Sequence, residues 1–230
     1  RGTAKSKDGQ MTGELKAWYE PLTPLSFLER IAYVMPDRTA VIDKDKRWTW
    51  KEFFGRVNRL SNALKGLGVK RGDNVAFLSR NFSPLLEAHY GIPLTGGAIV
   101  AINYRLSTSE IATIVNLSEA RVMFVDAGVA DRVNPDALSN VEVYINVFDG
   151  RDTHGETPAK ELPGVGYEEF IAKASDEYVR LKLKDENDFI AIDYTSGTTG
   201  TPKGCVYSHR SAYLHAISKI IEHSVNAYSV

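Results

Sequence analysis

Ala98-Ile99-Val100-Ala101-Ile102 is apolar at every position. A strand with one wet face alternates apolar and polar residues, so a strand built from this run has to be covered on both faces. Further strand-like runs lie at Thr39-Ala40-Val41-Ile42, Val75-Ala76-Phe77-Leu78, Arg121 to Asp126, Val141 to Ile145 and Phe189-Ile190-Ala191-Ile192. Amphipathic segments separate most of them. This alternation predicts βαβ units: an α/β fold with a mainly parallel sheet and helices on both faces.

The helices carry their own start signals. Thr49 with Glu52, and Ser107 with Glu110, are capping boxes. The first opens a helix that buries Phe53, Val57, Leu60 and Leu64 and stops at Gly66 and Gly68; the second precedes Ile111, Ile114 and Val115. Ser83-Pro84 predicts a serine cap with proline in the first turn. A helix from Ser26 is expected to place Phe27, Ile31 and Val34 on one face and to end at Met35-Pro36. Residues 43–47 read as a charged hairpin tip, and Tyr167 to Ala174 as a short helix. Phe148 to Gly166 reads as a surface loop. Its Asp149, Asp152, His154 and Glu156 fit no metal-ligand spacing, so no metal site is assigned.

One stretch is made differently. Tyr194 to Gly204 holds three glycines, five Ser/Thr hydroxyls, one proline and Lys203, with no large aliphatic side chain. Glycines let successive N–H groups turn towards one point, and hydroxyls and an ammonium add donors and charge. Such a set suits a polyanion, most naturally a nucleotide's phosphate chain. The spacing fits neither a Walker loop nor the dinucleotide fingerprint. The plain alternative is a Gly/Thr hairpin turn on the surface.

Behind the loop, Cys205-Val206-Tyr207 reads as a strand with Cys205 a buried thiol. Ser208 caps a helix with Leu214, Ile217 and Ile221 on one stripe. His209 and Arg210 fall in its first turn. Cations there are disfavoured by the helix dipole unless an anion lies near; simple exposed charge is the other reading. His215 and His223 read as surface residues.

The chain has 230 residues and a formal charge of −1, with one cysteine. The charge balance argues against nucleic acid as a partner, and no run is long enough for stable membrane insertion. A lone cysteine fits a reducing, cytoplasmic setting. Residues 1–10 read as an appended leader, with the native start at Met11.

The Tyr194–Gly204 run resembles the signature loop of the adenylate-forming superfamily; the block that opens at 48–53 with its helix, and the block that residues 103–106 close, are similar to its first two conserved regions. From Pro21 to Ser229 the order of blocks looks like the N-terminal part of a short- to medium-chain fatty acyl-CoA synthetase. The resemblance implies a truncated N-terminal domain: residues 11–188 as an α/β subdomain, and 189–230 as the phosphate loop and the start of a second. It implies an ATP-dependent acid–thiol ligase acting in fatty acid metabolism, with Mg²⁺ and coenzyme A as co-reactants and a small carboxylic acid as substrate. Thr195, Ser196, Gly197, Thr198, Thr199, Gly200, Thr201 and Lys203 would hold ATP, and Lys203 would stabilise phosphate charge. The chain alone is expected to be inactive, and association through the truncated face, or a homodimer, is left open. An aryl-acid ligase, a peptide-synthetase adenylation domain and a non-catalytic phosphate-binding module are the alternatives.

Overall fold

The computed structural model describes residues 2–5, 11–15, 19–148, 161–195 and 202–226. Gly2–Lys5 (β1) pairs antiparallel with Met11–Leu15 (β2). Leu25–Val34 (α1) is followed by the hairpin of Thr39–Asp43 (β3) and Lys46–Thr49 (β4), whose tip places Lys44 at φ 58°. Trp50–Gly66 (α2), Asn74–Ser79 (β5), Ser83–Gly91 (α3), Ala98–Asn103 (β6), Thr108–Leu117 (α4), Val122–Asp126 (β7) and Val143–Val147 (β8) alternate as expected. Gly164–Gly166 (β9), Tyr167–Ala172 (α5), Phe189–Thr195 (β10), Lys203–Ser208 (β11) and His209–Glu222 (α6) complete the order.

One seven-stranded sheet runs β11-β10-β6-β5-β7-β8-β9. Every pairing in it is parallel except the edge pair β10–β11. Both faces are covered, as the apolar β6 requires. On one, Ile111, Ile114 and Val115 of α4 pack on Ala76, Leu78, Val100, Met123 and Val125. On the other, α2, α3 and α5 cover Val75, Phe77, Ile99 and Phe124. Phe77 and Phe124 stack there at 4.9 Å. A third cluster joins α1 to the first turns of α2 through Leu25, Leu28, Phe53 and Val57.

Both predicted capping boxes form. Thr49 Oγ1 accepts from the Glu52 amide at 3.2 Å while Glu52 accepts from the Thr49 amide at 2.7 Å; Ser107 and Glu110 repeat the exchange. Three local expectations are corrected. Ser83 is not the cap of α3: it is the first helical residue, and its amide donates to Asp43 Oδ2 at 3.0 Å across forty residues of chain. In α1 the buried face is Leu25 and Leu28, whereas Val34 is exposed and Phe27 turns aside to stack on Tyr213 at 4.6 Å. The stretch after Phe148 is not wholly loop: Leu162 is buried on Asn146 through two 2.9 Å hydrogen bonds, and β9 extends the sheet. Asp149, Asp152, His154 and Glu156 lie outside the described residues. The capped helix expected from Ser208 forms as α6, with Leu214 and Ile221 of its stripe exposed.

Candidate functional site: the edge hairpin at the carboxyl end of the sheet

Open parallel sheets bind ligands beyond the carboxyl ends of their strands, where successive crossovers diverge. Here β5 leads to β6 on one side and β6 leads back past β5 to β7, so the divergence lies between β5 and β7. Protein side chains occupy it. Arg80, just after β5, forks onto Asp126 at the end of β7, at 2.7 and 2.9 Å, and the Gly128 amide donates to the same carboxylate at 2.9 Å. Asp126 is fully buried, and a Cβ at Gly128 would sit 2.2 Å from the Arg80 guanidinium. The crevice is closed by a charge-assisted pair of matched geometry.

The open feature at this end of the sheet is the β10–β11 hairpin. Ala191 is level with Ile99 of β6, so four residues on, Thr195 is level with Asn103, the last residue of β6. The loop therefore leaves the sheet at its carboxyl end. Thr195 and Lys203 pair across the ladder, with the Thr195 hydroxyl 3.5 Å from the Lys203 carbonyl. Both residues are exposed, and Lys203 makes no ion pair among the described residues. Tyr194 pairs with Gly204, where a Cβ would come within 3.1 Å of Ile192 and 3.4 Å of the Tyr194 ring. Glycine lets that ring lie over the ladder, and burial pushes the Tyr194 hydroxyl above its ordinary pKa. Ser196, Gly197, Thr198, Thr199, Gly200 and Thr201 lie outside the described residues. The structure thus brings Thr195 and Lys203 together as the two posts from which residues 196–201 spring.

Cys205 is exposed on β11, not buried as its apolar neighbours suggest. The reason is topological: β11 is an edge strand, and residues 203–207 are all exposed. A ladder neighbour on one side and no cover leave alternate residues equally wet.

The hairpin's base was not foreseen. His209 is completely buried, so it is neither an exposed charge nor a cation awaiting an anion. Its Nδ1 lies 2.9 Å from the Thr23 hydroxyl, its amide donates to the Asp188 carbonyl at 3.1 Å, and its Nε2 has no partner among the described residues. Burial drives its pKa down to about 4 against the opposing pull of Asp188. Arg210 finds its anion within the protein, as an ion pair with Glu186. Glu186 also accepts from the Leu22 amide at 2.9 Å, and these bonds, led by Leu22, lower its pKa. Asp188 takes a two-pronged grip from Arg71 at 2.7 and 2.6 Å, which lowers its pKa in turn. The only signal of this base in the sequence is a polar pair directly after a capped strand end; Arg71 lies 117 residues from Asp188, and Thr23 lies 186 from His209.

A mainly parallel α/β sheet with a Gly/Ser/Thr-rich hairpin at the carboxyl end of its edge strands defines the N-terminal layer of an adenylate-forming enzyme. The chain belongs to the AMP-binding enzyme family, whose pattern matches residues 28–229. Among curated relatives, it is 36% identical over 216 residues to 4-hydroxybutyrate–CoA ligase 2 of Metallosphaera sedula, covering 93% of this chain and 39% of that protein. It is 35% identical over 220 residues to a peroxisomal butyrate–CoA ligase of Arabidopsis thaliana, covering 91% and 38%. A crystal structure of an anthranilate–CoA ligase with anthranoyl-AMP superposes with a TM-score of 0.72 at 26% identity, covering 83% of this chain and 35% of that one. The chain thus spans well under half the length of the relatives it matches.

Proposed function

We propose that the protein to which this chain belongs is an acid–thiol ligase. It would join a carboxylate to the α-phosphorus of ATP, releasing pyrophosphate, and then pass the acyl group to coenzyme A with loss of AMP. The observation that carries the reading is the placement of Thr195 and Lys203 as facing posts of a hydroxyl- and glycine-rich loop at the carboxyl end of the sheet. In this reading Ser196, Thr198 and Thr199, with the amides around Gly197 and Gly200, hold the β- and γ-phosphates. Thr195 and Thr201 flank that grip, and Lys203 places its ammonium by the departing pyrophosphate. Displacement at phosphorus asks for alignment and charge neutralisation more than for covalent chemistry, and these residue types supply both. Among the described residues no cluster of three His, Cys, Asp or Glu side chains forms a metal cage. Mg²⁺ fits this chain as an ion arriving on the triphosphate, which donors of the loop's kind contact through phosphate oxygens.

The acid is a short or medium aliphatic one, a reading supported by the hydroxybutyrate and butyrate ligases among the relatives. An aryl acid is the second reading, supported by the likeness to the anthranilate ligase. In this reading residues 189–230 lead from the edge of this sheet, through the phosphate loop, towards a second subdomain, and the 230-residue chain by itself turns over no substrate. No described helix is long and apolar enough to cross a membrane. The cytoplasm remains our reading for the compartment, although the Arabidopsis relative is peroxisomal; imaging of the tagged full-length protein tests it. The reaction is tested by giving the full-length protein ATP, coenzyme A and a panel of aliphatic and aromatic acids. AMP and pyrophosphate are the expected products; ADP and phosphate would overturn the assignment.

A further inference from the structure

Every residue of β11 from Lys203 to Tyr207 is exposed, and the strand has one neighbour. β10 seats the hairpin in the sheet through its pairing with β6 and its buried Ile190 and Ile192, and the base fixes the hairpin's other end. There, two backbone bonds tie the start of α6 to the approach to β10: His209 N–H to Asp188 O at 3.1 Å, and Arg210 N–H to Glu186 O at 2.8 Å. Side-chain contacts then tie that base to the rest of the protein, the Tyr19–Glu186 bond and the Phe27–Tyr213 stack among them. Arg71 holds Asp188, Leu22 donates to Glu186, and the His209 ring meets Thr23. The last of these stands apart, because the imidazole is wholly buried and its Nε2 has no partner among the described residues. A buried donor or acceptor left without a partner gives up its hydration with nothing in return. A residue kept at such a cost is a sign of a positional demand, since local rules are broken where geometry matters.

Resting on the ligase reading above, we propose that His209 is a positioning residue. Through Thr23 it locks the base of the hairpin to the amino-terminal segment, so that the loop grips the triphosphate from a fixed direction. From Lys203 to His209 the strand runs roughly 20 Å, so a tilt of about 3° at the base moves the loop by about 1 Å, enough to cost on the order of 100-fold in a reaction governed by alignment. The lock acts on ATP alone, because the hairpin touches only the triphosphate in this reading.

The test uses the full-length protein and acid-dependent exchange of pyrophosphate into ATP, with thermal unfolding measured on each variant. Thr23→Val keeps the shape of the side chain and removes the hydroxyl. It is expected to raise KM for ATP about tenfold while KM for the acid stays within about twofold, the signature of a misdirected phosphate grip. His209→Ala is expected to do the same, the double variant to add little, and His209→Asn, whose amide reaches the place of Nδ1, to recover most of the loss. If His209→Ala fails to fold, Thr23→Val carries the test alone. A folded Thr23→Val protein with an unchanged KM for ATP, or one in which both KM values rise together, overturns the positioning role. Lys203→Ala in the same assay separates this from the underlying reading. If it cripples exchange while Thr23→Val does not, the lock alone is wrong; if it also leaves exchange untouched, the phosphate-gripping hairpin is wrong and the lock with it.

Discussion

Glu87 and Tyr167 meet inside the sheet's helical cover, eighty residues apart in sequence, with the tyrosine hydroxyl donating to the carboxylate at 2.5 Å. Arg56 of α2 completes the group, forking onto Glu87 at 2.7 and 3.3 Å and onto Glu168 at 2.9 and 2.6 Å. Glu87 is fully buried. Burial raises its pKa, with Arg56 pulling the other way, and burial beside Glu87 lifts that of Tyr167 well above its usual range. This network binds α2, α3 and α5 into one layer on the face of the sheet. Breaking a buried pair by removing one partner is more costly than never having had it, because the survivor stays dehydrated and uncompensated.

Glu87→Ala is therefore expected to destabilise the fold by roughly 1–3 kcal/mol, since it leaves the buried Tyr167 hydroxyl without its acceptor and Arg56 with Glu168 alone. Chemical denaturation of the full-length protein measures it. A loss below about 1 kcal/mol would show that water reaches Arg56 freely.

His209 makes stability depend on pH in a definable window. Its folded pKa, about 4, lies below the 6.5 of a free imidazole. Above 6.5 both folded and unfolded forms are neutral and the residue contributes nothing to the slope. As pH falls below 6.5 the unfolded chain takes up the proton first, and stability drops until the folded ring also protonates near 4, by up to roughly 3 kcal/mol. His89, also lowered by burial, acts in the same sense, so the comparison is with His209→Asn. That variant is expected to lose less stability between pH 6.5 and 5 than the unaltered protein; parallel curves would contradict the assignment.

Val206, Tyr207, Leu214 and Ile221 leave an apolar, exposed surface on β11 and α6, and β11 carries an open ladder edge. With a formal charge of −1, little electrostatic repulsion opposes association. The 230-residue chain is expected to self-associate in sedimentation experiments at micromolar concentration, and Val206→Lys to reduce this. Monomeric behaviour at high concentration would refute it.

What could be read from the residues was what is decided locally. The Thr49–Glu52 and Ser107–Glu110 boxes, the buried stripe of α2 and the dry strand β6 depend on neighbours within one turn or one pleat. Long-range geometry was not legible. Asp43 supplies the acceptor that Ser83 was expected to be, because the β3–β4 hairpin folds against the start of α3. Periodicity finds an apolar stripe or strand but not what covers it, which is why Cys205 was assigned to the interior. At the candidate site, the glycine-, hydroxyl- and lysine-bearing stretch was legible from composition, whereas the contact of buried His209 with Thr23, 186 residues away, was not.

The central claim is that the hairpin sprung between Thr195 and Lys203 grips the leaving end of ATP while a carboxylate attacks the α-phosphorus. Acid-dependent pyrophosphate exchange by the full-length protein, with and without Lys203→Ala, tests it most directly. Removing a preorganised charge from the transition state is expected to slow exchange by roughly 30- to 1,000-fold, or about 2–4 kcal/mol, with the fold intact. Exchange at an unchanged rate in the Lys203→Ala protein would contradict the account.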